Sequence, residues 1–212
     1  MKIRSVSELQ DLLDKDLVWR VREISDIKYS VAKADVSRRK FLLRAAVALS
    51  YAHWEGFIKN STHWYLVHIN SQRLKYSQVR AEFAVFGLKS ELHTLVNSRK
   101  HKQNTEILTK ILSIGNQRVY MSLSNAVDTE SNLNSVVFEN IAISVAIDTS
   151  EYQTKYNFID ESLLKKRNSV AHGEDPGIDQ QALEDTLQIV EEMIRKYKGD
   201  ILDAAENKRY LI

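Results

Sequence analysis

The sequence predicts an all-α protein, a bundle of long antiparallel helices with a less regular helical insertion in its middle, and three observations predict it. One proline and six glycines in 212 residues leave too few tight turns for a many-stranded sheet. Apolar residues recur at spacings of three and four over long stretches, the period of one helical face. A 43% hydrophobic content can fill one sizeable core, so residues 1–212 read as a single domain with its less regular insertion at 72–149.

From Ser7 to about Ala34, residues Leu9, Leu12, Leu13, Leu17, Val21, Ile24 and Ile27 make one apolar stripe, with Ser7 as the expected N-cap. Asp35 restarts the period, and the run that follows to about His68 should be the longest helix. Its small residues Ala45, Ala46, Ala48, Ser50 and Ala52 let a neighbouring helix approach closely and argue for a central place. Trp54 and Trp64 bury area around a single carboxylate, Glu55, which shares a stripe with Ala48, Tyr51 and Ile58 and needs a partner there.

The middle is more broken. Helices are expected near Ser77–Phe86, Leu88–Asn97, Thr105–Ile114 and Leu133–Ile147. The basic stretch Arg99–Asn104 reads as a solvated loop or as a contact for phosphates, and Val119–Val127 as either a strand or a helix. A helical period resumes from Tyr156 to Ala171 and stops at His172, where Gly173, Pro176 and Gly177 follow. Asp179 then caps a final helix through Leu183, Leu187, Val190, Met193, Ile194 and Tyr197, with Lys208 and Arg209 in a tail expected to fray.

The net charge of +2 announces no nucleic-acid binder, so local patches would have to recognise one. With no cysteine in the chain, disulfides, thiolate metal sites and a cysteine nucleophile are excluded, and a cytoplasmic location is expected. Neither a signal-peptide core nor a membrane span is visible, and no membrane association is expected. Glycine-rich phosphate loops and G-x-S-x-G elbows are absent, and Ser169 reads as a helix spacer rather than a nucleophile. His53, His63, His68, His93 and His101 do not fall at the spacing of a metal site, so no metal or cofactor is expected. His53 could reach towards Glu55, although adjacent helical positions point apart.

The segment Leu163–Gly173, reading LLKKRNSVAHG, concentrates chemistry. Arg167 and His172 lie one turn apart and about 140° out of phase on a helix, within reach of one ligand, and Asn168 shares the histidine's face. Arginine offers a planar fork for a phosphate, histidine exchanges protons near neutral pH, and asparagine can position an oxygen. Together they suit cleavage of RNA, which carries its own 2′-hydroxyl nucleophile and so needs no metal. Lys165 and Lys166 either offer RNA phosphates a positive approach or face water. The same spacing also fits a C-terminal charge pair favoured by the helix dipole.

The string RNSVAHG, followed by a final amphipathic helix, resembles the R-x4-6-H signature of the HEPN superfamily, with Arg167, Asn168 and His172 in its three positions. AHWEGFIK at Ala52–Lys59 resembles the acidic helix of the MAE-type and RiboL-PSP-type HEPN families. The matching residues are confined to Ala45–Lys59 and Ile159–Gly173. The resemblance implies a helical homodimer in which two such motif helices face each other over a composite cleft. It implies a metal-independent endoribonuclease acting as a toxin or phage-defence effector, with an antitoxin or defence-system protein as partner. Glu55 would pair with Arg167 or orient His172; otherwise it belongs to a structural buried ion pair. A non-catalytic HEPN module binding RNA, a nucleotide or a protein is the alternative. Relatives paired with nucleotidyltransferase antitoxins carry a tyrosine two residues after the histidine; here Gly173 and Glu174 follow it, and the resemblance does not extend to that control.

Overall fold

The Ser5 hydroxyl accepts the Glu8 amide while the Glu8 carboxylate accepts the Ser5 amide. This reciprocal cap starts the first helix two residues ahead of the Ser7 that the sequence suggests. A computed structural model describes residues 1–123 and 126–212. Helix α1 (Val6–Lys33) is followed after two residues by α2 (Val36–Ser71), whose N-cap Asp35 accepts the Arg38 amide at 2.9 Å. So short a connection makes the two antiparallel. The final helix, α7 (Gln180–Glu206), is capped by Asp179 as expected and runs well past Tyr197.

Leu183 and Leu187 pack with Ile24, Val31, Leu43 and Ala46 at one end of the bundle. Towards the other end, the Tyr197 hydroxyl meets the Thr62 hydroxyl at 2.8 Å. Helix α7 therefore runs parallel to α2 and antiparallel to α1. Among the described residues, no helix is long and apolar enough to cross a membrane.

Between these helices lie α3 (Ala81–Asn97), α4 (His101–Ser113) and α5 (Ser135–Ser144). The two helices expected at Ser77–Phe86 and Leu88–Asn97 are one, and Gly87 inside it is a packing residue. A β-carbon there would sit 2.5 Å from the Tyr76 hydroxyl oxygen. Only Arg99 and Lys100 of the expected basic loop lie outside a helix, because α4 already begins at His101. The Val119–Val127 stretch is neither strand nor helix among its described residues; Ser124 and Asn125 lie outside them.

Leu133, Val137, Phe138, Ile141 and Ala142 enter the main core, where the Phe138 ring lies 5.0 Å from those of Trp54 and Tyr152. The middle of the chain thus helps to build the core. Nor does the tail fray. Tyr210 is buried, its carbonyl accepts the Arg80 amide at 3.0 Å, and the Ile212 amide donates to Gln78 at 3.1 Å.

One buried charge network fixes α1 on α2. Arg20 donates to Asp16 at 2.8 and 3.3 Å and to the His53 carbonyl at 3.2 Å. Trp19 and Asn60 donate to the same carboxylate, at 3.1 and 3.3 Å. Gly56 leaves room for the guanidinium, since a β-carbon there would stand 3.0 Å from a guanidinium nitrogen.

Candidate active site

The motif helix arrives through an unusual turn. Residues Phe158–Lys165 form a π-helical segment that passes directly into α6 (Lys166–Ala171). Such wide turns are rare and frequently accompany functional sites. Asp160 on this segment accepts the Ser135 amide at 2.7 Å and the Ser135 hydroxyl at 2.6 Å, tying the start of α5 to the motif helix. The segment and α6 pack against α2 in the opposite direction, with Val170 facing the groove beside Phe41, Arg44 and Ala45.

The end of α6 is built by Gly173. Its amide donates to the Val170 carbonyl at 3.0 Å, the Glu174 amide to Ser169 at 2.8 Å, and the His172 amide to Asn168 at 2.9 Å. This paired closure needs a left-handed residue just past the cap, and Gly173 supplies it with φ of 82°. His172 is consequently the C-cap, exposed to solvent.

Arg167 turns inwards. Its guanidinium carbon stands 4.1 Å from the centre of the Tyr51 ring. One terminal nitrogen donates to the Asn168 side-chain oxygen at 2.9 Å, the other to the Ser131 carbonyl at 2.9 Å. Two of five guanidinium N–H donors are thus engaged, leaving three for a ligand. Glu130 and Ser131 both have positive φ, 52° and 60°, an unfavourable pair for residues with a β-carbon. The turn is held by Leu133, whose amide donates to the Tyr51 hydroxyl at 2.6 Å. Tyr51 therefore supports the arginine twice, by its ring and through the loop on its hydroxyl. Burial, the first cause, and the negative charge of Glu55 push its phenol above the usual value.

Arg167 and Asn168 are brought together. Asn168 orients the arginine through its oxygen, which leaves its amide nitrogen for a ligand. No hydrogen bond links Arg167 to His172 within one chain among the described residues. Glu55 is half-buried near the Tyr51 hydroxyl, and among the described residues it has no ion pair or hydrogen bond, so the expected pairing with Arg167 is replaced by Ser131 and Asn168. Lys165 is exposed and ion-paired with Glu161 at 2.6 Å, whereas Lys166, half-buried, joins no ion pair among the described residues.

His53 points away from the site. Buried against Trp19 with ring centres 5.5 Å apart, it has Glu23 3.1 Å from Nε2 but no aligned hydrogen bond on either ring nitrogen. Burial, and then the Arg20 charge, push its pKa down to about 4. Among the described residues no cluster of three or more His, Asp or Glu side chains could hold a metal ion.

Sequence reasoning had Tyr51 only as a stripe neighbour of Glu55, and missed Ser131 and Asp160. Nothing local marks a residue that acts through its backbone carbonyl.

The model of the RiboL-PSP-HEPN family matches residues 15–203, from α1 nearly to the end of α7. No curated protein and no solved structure matches the chain. With the match covering most of the sequence and including both α2 and the Arg167–His172 helix, the chain belongs to the RiboL-PSP-HEPN family, a helical group associated with RNA and nuclease function.

Proposed function

We propose that the protein is a metal-independent endoribonuclease of the HEPN type, working as a homodimer in the cytoplasm as a toxin or phage-defence effector. One observation carries the reading: a clamped guanidinium with spare donors sits one turn before an exposed histidine at the end of the same helix. A fixed cation needs little reorganisation as negative charge develops on a phosphate.

In this reading the 2′-oxygen of RNA attacks phosphorus and the 5′-oxygen leaves, giving a 2′,3′-cyclic phosphate and a 5′-hydroxyl end. His172 takes the 2′-hydroxyl proton and the partner's His172 returns one to the leaving oxygen. Arg167 stabilises the crowded phosphorane, Asn168 keeps the guanidinium aimed, and Lys166 with Lys165 draws in the RNA backbone. Glu55 acts on Tyr51 from beneath the cleft. An antitoxin or defence-system protein would restrain the activity.

The dimer reading draws on α2. Phe41 and Leu49, 69% and 38% exposed, flank Ala45, Ala48 and Ala52, and Phe41 and Ala45 line a groove of about 510 Å³ with Val170 of the motif helix. A second copy seated on this face would bring two motif helices together and supply the second histidine that a single chain lacks.

The test is incubation of the purified protein with total RNA in chelator. Cleavage by the unaltered protein, lost in Arg167→Ala and His172→Ala, is the expected result; a folded protein that binds RNA without cutting it overturns the proposal. That outcome is the one expected of a non-catalytic binding module, a reading favoured by the engagement of Arg167 with Tyr51 and Ser131. Phe41→Glu should give monomers in light scattering and lose cleavage together.

A further inference from the structure

The N-terminal residues are anchored on the far end of α2. Ile3 is buried, its amide donates to the Ser71 hydroxyl at 3.3 Å, and the Gln72 side-chain Nε2 donates to the Arg4 carbonyl at 3.1 Å. Alternate side chains of an extended segment point to opposite sides, so burying Ile3 turns Lys2 and Arg4 outwards. Arg118 is anchored by a bond of 3.3 Å to the Asn70 carbonyl. With Arg73 and Tyr120 these residues line a groove of about 660 Å³.

All four cations are exposed, and among the described residues none belongs to an ion pair and no carboxylate lines the groove. The nearest acid in sequence, Glu8, is committed to capping α1. Some basic residues elsewhere are neutralised, as with Lys196 against Glu151 and Asp200; in the groove the unpaired cations converge. Arg73 has φ of 57° just past the C-cap Gln72, where glycine is customary. Ala146 and Lys208 take the same conformation past the C-caps of α5 and α7, so it is the cluster of unpaired charge, not the backbone, that points to a ligand. Tyr120, 71% exposed, offers a flat ring beside the cations.

We propose that this groove is a second RNA-binding site, gripping phosphates of a single strand through Lys2, Arg4, Arg73 and Arg118 while a base stacks on Tyr120. Phosphate-binding cations beside an aromatic platform are the general means of holding single-stranded nucleic acid. The proposal rests on RNA being the substrate of the Arg167–His172 site, and it names that substrate as a long single strand. Beyond Arg118 the Met121 amide bonds Asn70 at 3.2 Å, and the Leu133 amide bonds Tyr51 at 2.6 Å. About 28 Å of helix separates those two anchors. Leu123 borders both the groove and a hollow lined by Lys59, Asn60, His63 and the carboxylate of Asp128, which lies between the groove and the motif.

The test measures anisotropy of a labelled single-stranded RNA in chelator, on His172→Ala protein so that the probe stays intact, with and without groove substitutions. Arg73→Ala with Arg118→Ala should weaken binding about tenfold or more and flatten the salt dependence by about two phosphate contacts. Tyr120→Ala should weaken it about fivefold, the low end of a stacking contact. Arg73→Gly should lose affinity while melting no earlier than its parent, separating the charge from folding. Unchanged affinity and salt slope in these variants overturn the proposal. Loss of binding with no cleavage by the unaltered protein leaves the groove standing and removes the nuclease reading. Cleavage of long RNA that the groove substitutions leave untouched does the reverse.

Discussion

Arg167 sits over the Tyr51 ring while the hydroxyl of that same ring holds the Leu133 amide, two residues from the carbonyl that Arg167 grips. The motif arginine is therefore aimed by a residue on another helix. Removing the hydroxyl alone, in Tyr51→Phe, leaves a buried amide without its acceptor and should cost about 1–3 kcal/mol. Thermal unfolding measures that loss, and RNA cleavage should fall with it because the Ser131 turn loosens.

Arg167→Lys separates charge from shape. An ammonium keeps the positive charge but cannot reproduce two fixed N–H bonds, a stacked plane and a fork for phosphate. Cleavage should drop by about 10²-fold or more, with the melting temperature nearly unchanged. Near-normal cleavage would show that point charge suffices.

Gly173→Val tests whether the helix stop aims His172. There is open space around the glycine, so the penalty comes from the backbone: a β-branched residue at φ of 82° should cost about 1–2 kcal/mol. Gly173→Asn, which tolerates that conformation better, should retain more cleavage. Equal activity in the two variants would remove the stop from the mechanism.

Asp16→Ala strands a buried guanidinium. Both partners are nearly inaccessible, with side-chain exposures of 5% and 8%, and breaking such a pair costs about 3–5 kcal/mol. Chemical denaturation should register a loss of that size.

Acid should destabilise the fold through His53. Its folded pKa of about 4 lies below the ordinary 6.5, so the unfolded chain binds the proton first as pH falls. The contribution is complete above pH 6.5, declines towards pH 4 and then levels, by roughly 3 kcal/mol in all. His53→Phe should flatten stability over this window relative to its parent; parallel curves would place the titration elsewhere.

The three long helices were legible because their apolar residues keep one period and Asp35 and Asp179 announce their starts. Helix α3 was read as two because Gly87 looks like a stop when the approach of Tyr76 is unknown. The tail looked free for a similar reason, since Lys208 and Arg209 conceal the anchoring of Tyr210 and Ile212 on residues near 80. At the site, Arg167, Asn168 and His172 could be read from one short string. Their supports could not, since Tyr51 and Ser131 are distant in sequence and one of them acts through a carbonyl. Glu55 attracted a pairing with Arg167 because a carboxylate between tryptophans calls for a cation; the geometry gives that cation neutral oxygens instead.

The wide turn at Phe158–Lys165 sets the angular phase of everything after it. Were those same residues wound as an ordinary α-helix, with none removed, the residues beyond would be rotated by about 100°. The string RNSVAHG would survive unaltered in such a chain, yet its guanidinium would no longer face the phenol ring. A sequence can thus retain the whole motif and lose the orientation that makes it useful.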